Sequence, residues 1–134
     1  MIKQLAHLCI HTEDLAKTER FYIDALGLEP GFRFLKNGKR FGCYLKLGSS
    51  TFIEVFEGKR GSPGNINHLA IEVDDMDGVI ARLRENGVEV TDKKLGADHS
   101  WQAWLEDPNG VRIELHEYTP ESLQRTGGDC AVDW

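Results

Sequence analysis

The chain has 134 residues, enough for one compact domain with a single real core. Its 40% apolar and 28% charged content is that of an ordinary globular protein. A net charge of −6 argues against nucleic-acid binding through a basic surface, and no apolar run approaches the length of a membrane span.

The segment from Met1 to Leu5 has no signal-peptide layout. Cys9, Cys43 and Cys130 are odd in number and form no CxxC pair, so reduced thiols in a cytoplasmic protein are expected. Residues 5 to 11 alternate as a strand, with Leu8 and Ile10 on one face and His7, Cys9 and His11 on the other. Thr12 or Asp14 caps the helix that follows. Leu15, Thr18, Tyr22, Ala25 and Leu26 line one side of it, and Gly27 stops it. Strands are expected at Glu29 to Lys36 and Arg40 to Leu47, joined by a hairpin at Asn37-Gly38. A strand from Thr51 to Glu57 places Phe52, Glu54 and Phe56 on one face. Gly58 to Asn65 reads as a loop.

The pattern then restarts. Asn67-His68-Leu69-Ala70-Ile71 echoes Ala6-His7-Leu8-Cys9-Ile10. Asp74 or Asp75 caps a second helix carrying Met76, Val79, Ile80 and Leu83, and Gly87-Val88 matches Gly27-Leu28. Strands are expected near Val88 to Asp92, Trp101 to Glu106 and Val111 to Tyr118. The last follows the turn Asp107-Pro108-Asn109-Gly110. Its Val111, Ile113 and Leu115 share a core face, and Arg112, Glu114 and His116 share the polar one. The tail from Thr119 to Trp134 holds a possible helical turn after Pro120.

The chain thus reads as one domain of two strand–helix–strand–strand–strand modules, about 5–57 and 67–118, with a tail at 119–134. Paired side by side, such α+β modules give an open, curved mixed sheet of about eight strands with helices outside. His7 recurs as His68 and Glu54 recurs as Glu114, at almost the same offset along the chain. Any one of these four side chains alone is most simply a solvated residue on a half-exposed strand. Their match to the repeat suggests a shared job. Two imidazoles and two carboxylates suit a divalent first-row metal.

Several motifs carry a family resemblance. They are His7-Leu8-Cys9-Ile10 with Asp14-Leu15, Phe21-Tyr22, Leu26-Gly27-Leu28, His68-Leu69-Ala70-Ile71, and Asp107-Pro108-Asn109-Gly110-Val111-Arg112-Ile113-Glu114. In these the chain resembles the vicinal oxygen chelate superfamily, which includes glyoxalase I, methylmalonyl-CoA epimerases, fosfomycin-resistance thiol transferases, extradiol dioxygenases and bleomycin-binding proteins. The resemblance implies paired βαβββ modules, and metal ligands at His7, Glu54, His68 and Glu114. The ion would be Ni2+, Zn2+, Co2+, Mn2+ or Fe2+. Glutamate at position 54 favours a four-ligand site like that of glyoxalase I; epimerases commonly carry Gln there. Two departures bear on glutathione as a thiol. Positions where glyoxalase I proteins usually have Arg and Asn hold His11 and Gly58.

The activity implied is a metal-dependent lyase or isomerase of glyoxalase type, acting on a small oxygenated metabolite through a stabilised enediolate. Glu114 is the favoured base, with Glu54 as its symmetric partner. His11, Trp101, Trp104, Arg112 and His116 are candidate substrate-binding residues, Arg112 and His116 for an anionic group. Two alternatives stay open: an acyl-thioester epimerase or other lyase, and a metal-free sequestering protein of the bleomycin-resistance type. A homodimer is expected, because so open a sheet leaves edges to cover. Neither nucleic acid nor membrane is expected as a partner.

Overall fold

The computed structural model describes residues 5, 7–59, 66 and 68–132. The chain divides into two compact units, Met1–Gly64 and Asn65–Trp134. The loop expected at 58–65 lies, beyond Lys59, outside the described residues, as do Ala6 and Asn67 of the echoed motif.

The first unit runs β1 (His7–Thr12), α1 (Leu15–Glu19, continued by a π-helical segment Arg20–Ala25), β2 (Glu29–Lys36), β3 (Lys39–Lys46) and β4 (Phe52–Glu57). Asp14 is the helix cap, its Oδ1 accepting from the Lys17 N–H at 2.9 Å. Thr12 instead stands behind the cap, its Oγ1 accepting from the Asp14 N–H at 3.0 Å. The helix widens in its second half, where the Leu26 N–H reaches back five positions to Phe21 O at 3.0 Å. Wider turns move the inward stripe. Phe21 is buried with Leu15, Thr18, Tyr22 and Ala25, and Leu26, expected inside, is only half-buried. Gly27 ends the helix at φ 81°. Asn37 (φ 53°) and Gly38 (φ 74°) form the two-residue hairpin, with Lys36 opposite Lys39. The strands order as β1-β4-β3-β2, with β1 parallel to β4 and the other neighbours antiparallel. One face of this sheet is core: Ile10, Cys43, Leu45, Ile53 and Val55 are all buried.

The second unit repeats the plan: β5 (Leu69–Glu72), α2 (Met76–Glu85), β6 (Lys94–Leu95), β7 (Trp101–Glu106), β8 (Arg112–Glu117) and a short α3 (Leu123–Thr126), the helical turn expected after Pro120. Asp75 caps α2 through the Gly78 N–H at 3.0 Å. Met76, Ile80 and Leu83 are its buried residues, and Gly87 follows at φ 73°, matching Gly27. Strand order is β5-β8-β7-β6, with β5 parallel to β8. Even the turns correspond. The Leu47 N–H reaches Thr51 O at 2.9 Å, and the Asp107 N–H reaches Val111 O at 3.0 Å.

Eight strands form among the described residues, the number expected, as two mixed sheets of four. The strand expected near Val88 to Asp92 does not form. Val90 makes a lone bridge to Leu105, and the Thr91 hydroxyl takes the Trp104 N–H at 2.9 Å in place of a main-chain carbonyl. Pairing resumes only at Lys94 opposite Gln102. The half-buried pattern expected of β8 also fails. Ile113 and Leu115 are fully buried, yet Glu114 and His116 on the other face are only 8% and 9% exposed. Among the described residues no helix is long and apolar enough to cross a membrane.

Candidate metal centre

In the first unit the parallel pairing sets Cys9 opposite Glu54, and the antiparallel pairing sets Tyr44 opposite Glu54 from the other side. Residues opposite one another in a ladder share a face. Glu54 therefore sits between Cys9 and Tyr44. His7, two positions before Cys9, joins the same face, and its Nε2 lies 3.6 Å from Glu54 Oε2. The other ring nitrogen, Nδ1, is 2.9 Å from the Tyr44 hydroxyl. Burial and then the Glu54 carboxylate push the Cys9 thiol up, so it is held as the neutral thiol. Burial, Glu54 and Cys9 likewise push the Tyr44 hydroxyl up.

The second unit builds the same pair. His68 precedes β5, and its Nε2 lies 3.3 Å from Glu114 Oε2. Trp104 stands opposite Glu114, where Tyr44 stands opposite Glu54. Its ring meets His68 edge-on at 4.9 Å, and the Arg112 guanidinium lies 4.8 Å over it. Thr91, Trp104, Glu106 and Arg112 border an open cleft of about 510 Å³.

The 3.3 Å spacing of His68 and Glu114 fits two ligands of one ion, and the 3.6 Å spacing of His7 and Glu54 is slightly wider than that geometry requires. Donors about 2.1 Å from a metal and about 90–110° apart stand about 3.0–3.4 Å from each other. The donor set, neutral imidazole and carboxylate, suits a first-row divalent ion. Each unit supplies two such donors, and among the described residues no cluster of three or more His, Cys, Asp or Glu side chains forms within ligand reach.

The other expected site residues are placed as follows. His11 lies on the His7 face, its ring 6.5 Å from Phe56. Trp104 and Arg112 flank the second pair. Trp101 does not join them. It is three positions from Trp104 on one strand and so faces the opposite way, with the Lys93 ammonium 5.0 Å from its ring. His116 is engaged elsewhere. Its Nε2 lies 3.2 Å from Asp98 Oδ2, and its ring packs against Tyr118 at 5.1 Å. Burial works against the charge on Asp98. Hydrogen bonds from Gln124 and Ser100, with His116 close by, outweigh it and hold the carboxyl below its ordinary range. Tyr44 escaped notice in the sequence. The signal was available, because the step from Tyr44 to Trp104 equals the step from Glu54 to Glu114.

The sheet order of each unit and the repeated His–Glu pair define a class that the sequence profiles also report. The profile of the glyoxalase/bleomycin resistance protein/dioxygenase superfamily matches residues 4–115, and the chain belongs to that superfamily. Among its relatives, a probable lactoylglutathione lyase of Synechocystis is 28% identical over 124 residues, covering 83% of this chain and 92% of that protein. The mitochondrial methylmalonyl-CoA epimerase of Bos taurus is 29% identical over 131 residues, covering 85% and 74%. The crystal structure of a glyoxalase family protein from Enterococcus faecalis superposes with a TM-score of 0.70 at 30% identity, covering 86% of this chain and 98% of that one.

Proposed function

We propose that this protein is a metal-dependent lyase or isomerase of glyoxalase type, acting on a small oxygenated metabolite as a cytoplasmic homodimer. Its metal ligands are His7, Glu54, His68 and Glu114, each His–Glu pair offering an imidazole and a carboxylate to a divalent ion. The observation that carries the reading is the twice-built pair, with imidazole-to-carboxylate spacings of 3.6 and 3.3 Å. The similarity to the Synechocystis lyase supports it.

A bound ion supplies Lewis-acid polarisation of two adjacent substrate oxygens. The protein's own groups do the rest. Glu114, 8% exposed, takes a proton from the carbon beside the polarised oxygen and returns it to the neighbouring carbon. A carboxylate shared with a cation would be a weak base, so Glu114 would act as the base only when its carboxylate is free to accept the proton. Glu54 is its counterpart in the other repeat. Arg112, held over Trp104, offers its guanidinium to an anionic substrate group.

A second reading keeps the metal and the proton transfer but takes an acyl thioester as substrate. The similarity to the bovine epimerase favours it.

The test begins with metal analysis of the purified chain and of His7→Ala. The reading requires bound divalent metal in the first and its loss in the second; full metal content in His7→Ala removes the site. The reconstituted protein is then assayed with methylglyoxal plus a series of thiols, and with acyl thioesters. Turnover of a hemithioacetal that is abolished in Glu114→Gln supports the glyoxalase reading. Turnover of thioesters alone moves the assignment to the epimerase. Sedimentation checks the dimer, and a fully active monomer contradicts it.

A further inference from the structure

Five of the six phenylalanines of the protein gather on the first unit's sheet: Phe32, Phe34, Phe41, Phe52 and Phe56. Ring contacts join all five and Tyr44 into one cluster. Phe32 stacks on Tyr44 at 4.5 Å and 25°, and Phe41 stacks on Phe56 at 5.4 Å and 18°. Phe34 meets Phe56 at 4.7 Å, and Tyr44 meets Phe52 at 5.1 Å. This is not the core, which lies on the other face with Leu45, Ile53 and Val55. Phe32 is 55% exposed, and the other four are half-buried.

The internal repeat shows that the fold does not demand this. At the offset that carries Glu54 onto Glu114, Phe52 corresponds to Arg112, Phe56 to His116 and Gly42 to Gln102. The pairings agree, since Gly42 faces Phe56 in one sheet and Gln102 faces His116 in the other. The positions of Phe52 and Phe56 are thus polar in the second unit, although Tyr44 is matched there by Trp104. Gly42 serves the aromatic version. A Cβ there would lie 2.6 Å from the Phe56 ring, so the absence of a side chain lets that ring lie against the strand.

A contiguous cluster of partly exposed rings marks a binding surface. What fits it is constrained by Glu54, which alternates with Phe52 and Phe56 along β4 and has His7 3.6 Å away. A flush apolar protein surface would strip water from that carboxylate and return nothing. The occupant must bring oxygen or nitrogen atoms to the His7–Glu54 pair and an unsaturated ring to the cluster beside it.

We infer that the substrate is an aryl compound with two adjacent oxygens next to its ring. The oxygens are directed to the His7–Glu54 pair, and the ring stacks on the platform of Phe32, Phe34, Tyr44 and Phe56 at the offset spacing that aromatic pairs prefer. This deepens the proposed function and rests on that reading of His7 and Glu54.

Two hydroxamates test it. Benzohydroxamate and acetohydroxamate present the same pair of chelating oxygens and differ in a phenyl against a methyl group. Calorimetry on the zinc-loaded protein, and ligand-observed NMR on the metal-free protein, give both affinities. The platform requires benzohydroxamate to bind at least about tenfold tighter, as one buried ring supplies. It also requires the preference to fall to about twofold in Phe32→Ala, a half-exposed position whose loss leaves the core intact, and to fall in Phe34→Leu. Equal affinities in the zinc-loaded protein, or a preference unchanged in both variants, overturns the platform and leaves the metal site standing. If no zinc binds, the metal reading falls, and the metal-free measurement alone decides the platform: a phenyl preference lost in Phe32→Ala upholds it, and no preference overturns it.

Discussion

Replacing Asp107 by alanine isolates the device that aims Glu114. The Asp107 side chain is buried at 5% exposure, and its Oδ1 accepts from the Asn109 N–H at 2.7 Å and from the Val111 N–H at 2.8 Å. Together with the Asp107 N–H to Val111 O bond, these close the turn between β7 and β8 and bring Glu106 opposite Arg112. A hydrogen bond to a charged acceptor contributes about 1.5–3 kcal/mol, and water replaces part of it in a half-open turn, so losing both costs about 2–4 kcal/mol. For a domain of this size each kcal/mol moves Tm by about 4 °C, which gives a fall of about 8–16 °C by calorimetry. Asp107→Asn keeps an Oδ1 acceptor and should lose about 1 kcal/mol. Loosening the start of β8 should also weaken metal binding through Glu114, two positions beyond Arg112. An Asp107→Ala protein melting within about 3 °C of the parent refutes the claim that this carboxylate holds the turn.

Tyr44→Phe removes the 2.9 Å bond between the hydroxyl and His7 Nδ1 while keeping the ring. Groups that orient a ligand imidazole are worth about 10–100-fold in metal affinity, and this open site should show the lower end, about tenfold by competition with a chromogenic chelator; unchanged affinity refutes the orienting role. Gly42→Ala places a Cβ 2.5 Å from Val55 O, so it should cost about 1–3 kcal/mol in urea unfolding, and wild-type stability would contradict the close approach. Asp98 has its carboxyl held below the usual value of 3.8, so its ionised form stabilises the fold at pH above that value, and the contribution is lost as pH falls through the lowered folded-state value. Melting temperature should therefore fall more steeply below about pH 4 in the parent than in Asp98→Asn. Identical acid slopes would show that the Gln124 and Ser100 bonds do not favour the charged form.

Much of this protein is legible in local patterns. The strands at Glu29–Lys36 and Trp101–Glu106 have the bounds expected of them, and Asn37-Gly38 and the two helix-ending glycines, Gly27 and Gly87, take the positive φ their chemistry allows. The repeat spacing singled out His7, Glu54, His68 and Glu114 because a duplicated module keeps its offset. These features depend on near neighbours in the chain, or on a period, and a sequence displays both.

Pairing is different, because it joins residues far apart in the chain. That the Tyr44 hydroxyl reaches His7 follows from β3 and β1 flanking β4. The segment after Val88 looks like a strand by composition, but the Thr91 hydroxyl intercepts the Trp104 N–H and leaves a single bridge. Trp101 and Trp104 look like a pair in sequence, and the pleat sends them to opposite faces. His116 looks available for a substrate until the fold sets the Asp98 carboxylate, in the turn before β7, 3.2 Å from its Nε2. The sequence by itself therefore determined the repeat, the turns and the four candidate ligands. Only tertiary pairing decided what stands beside each of them, since a side chain's neighbours across a ladder are set by register and sheet order.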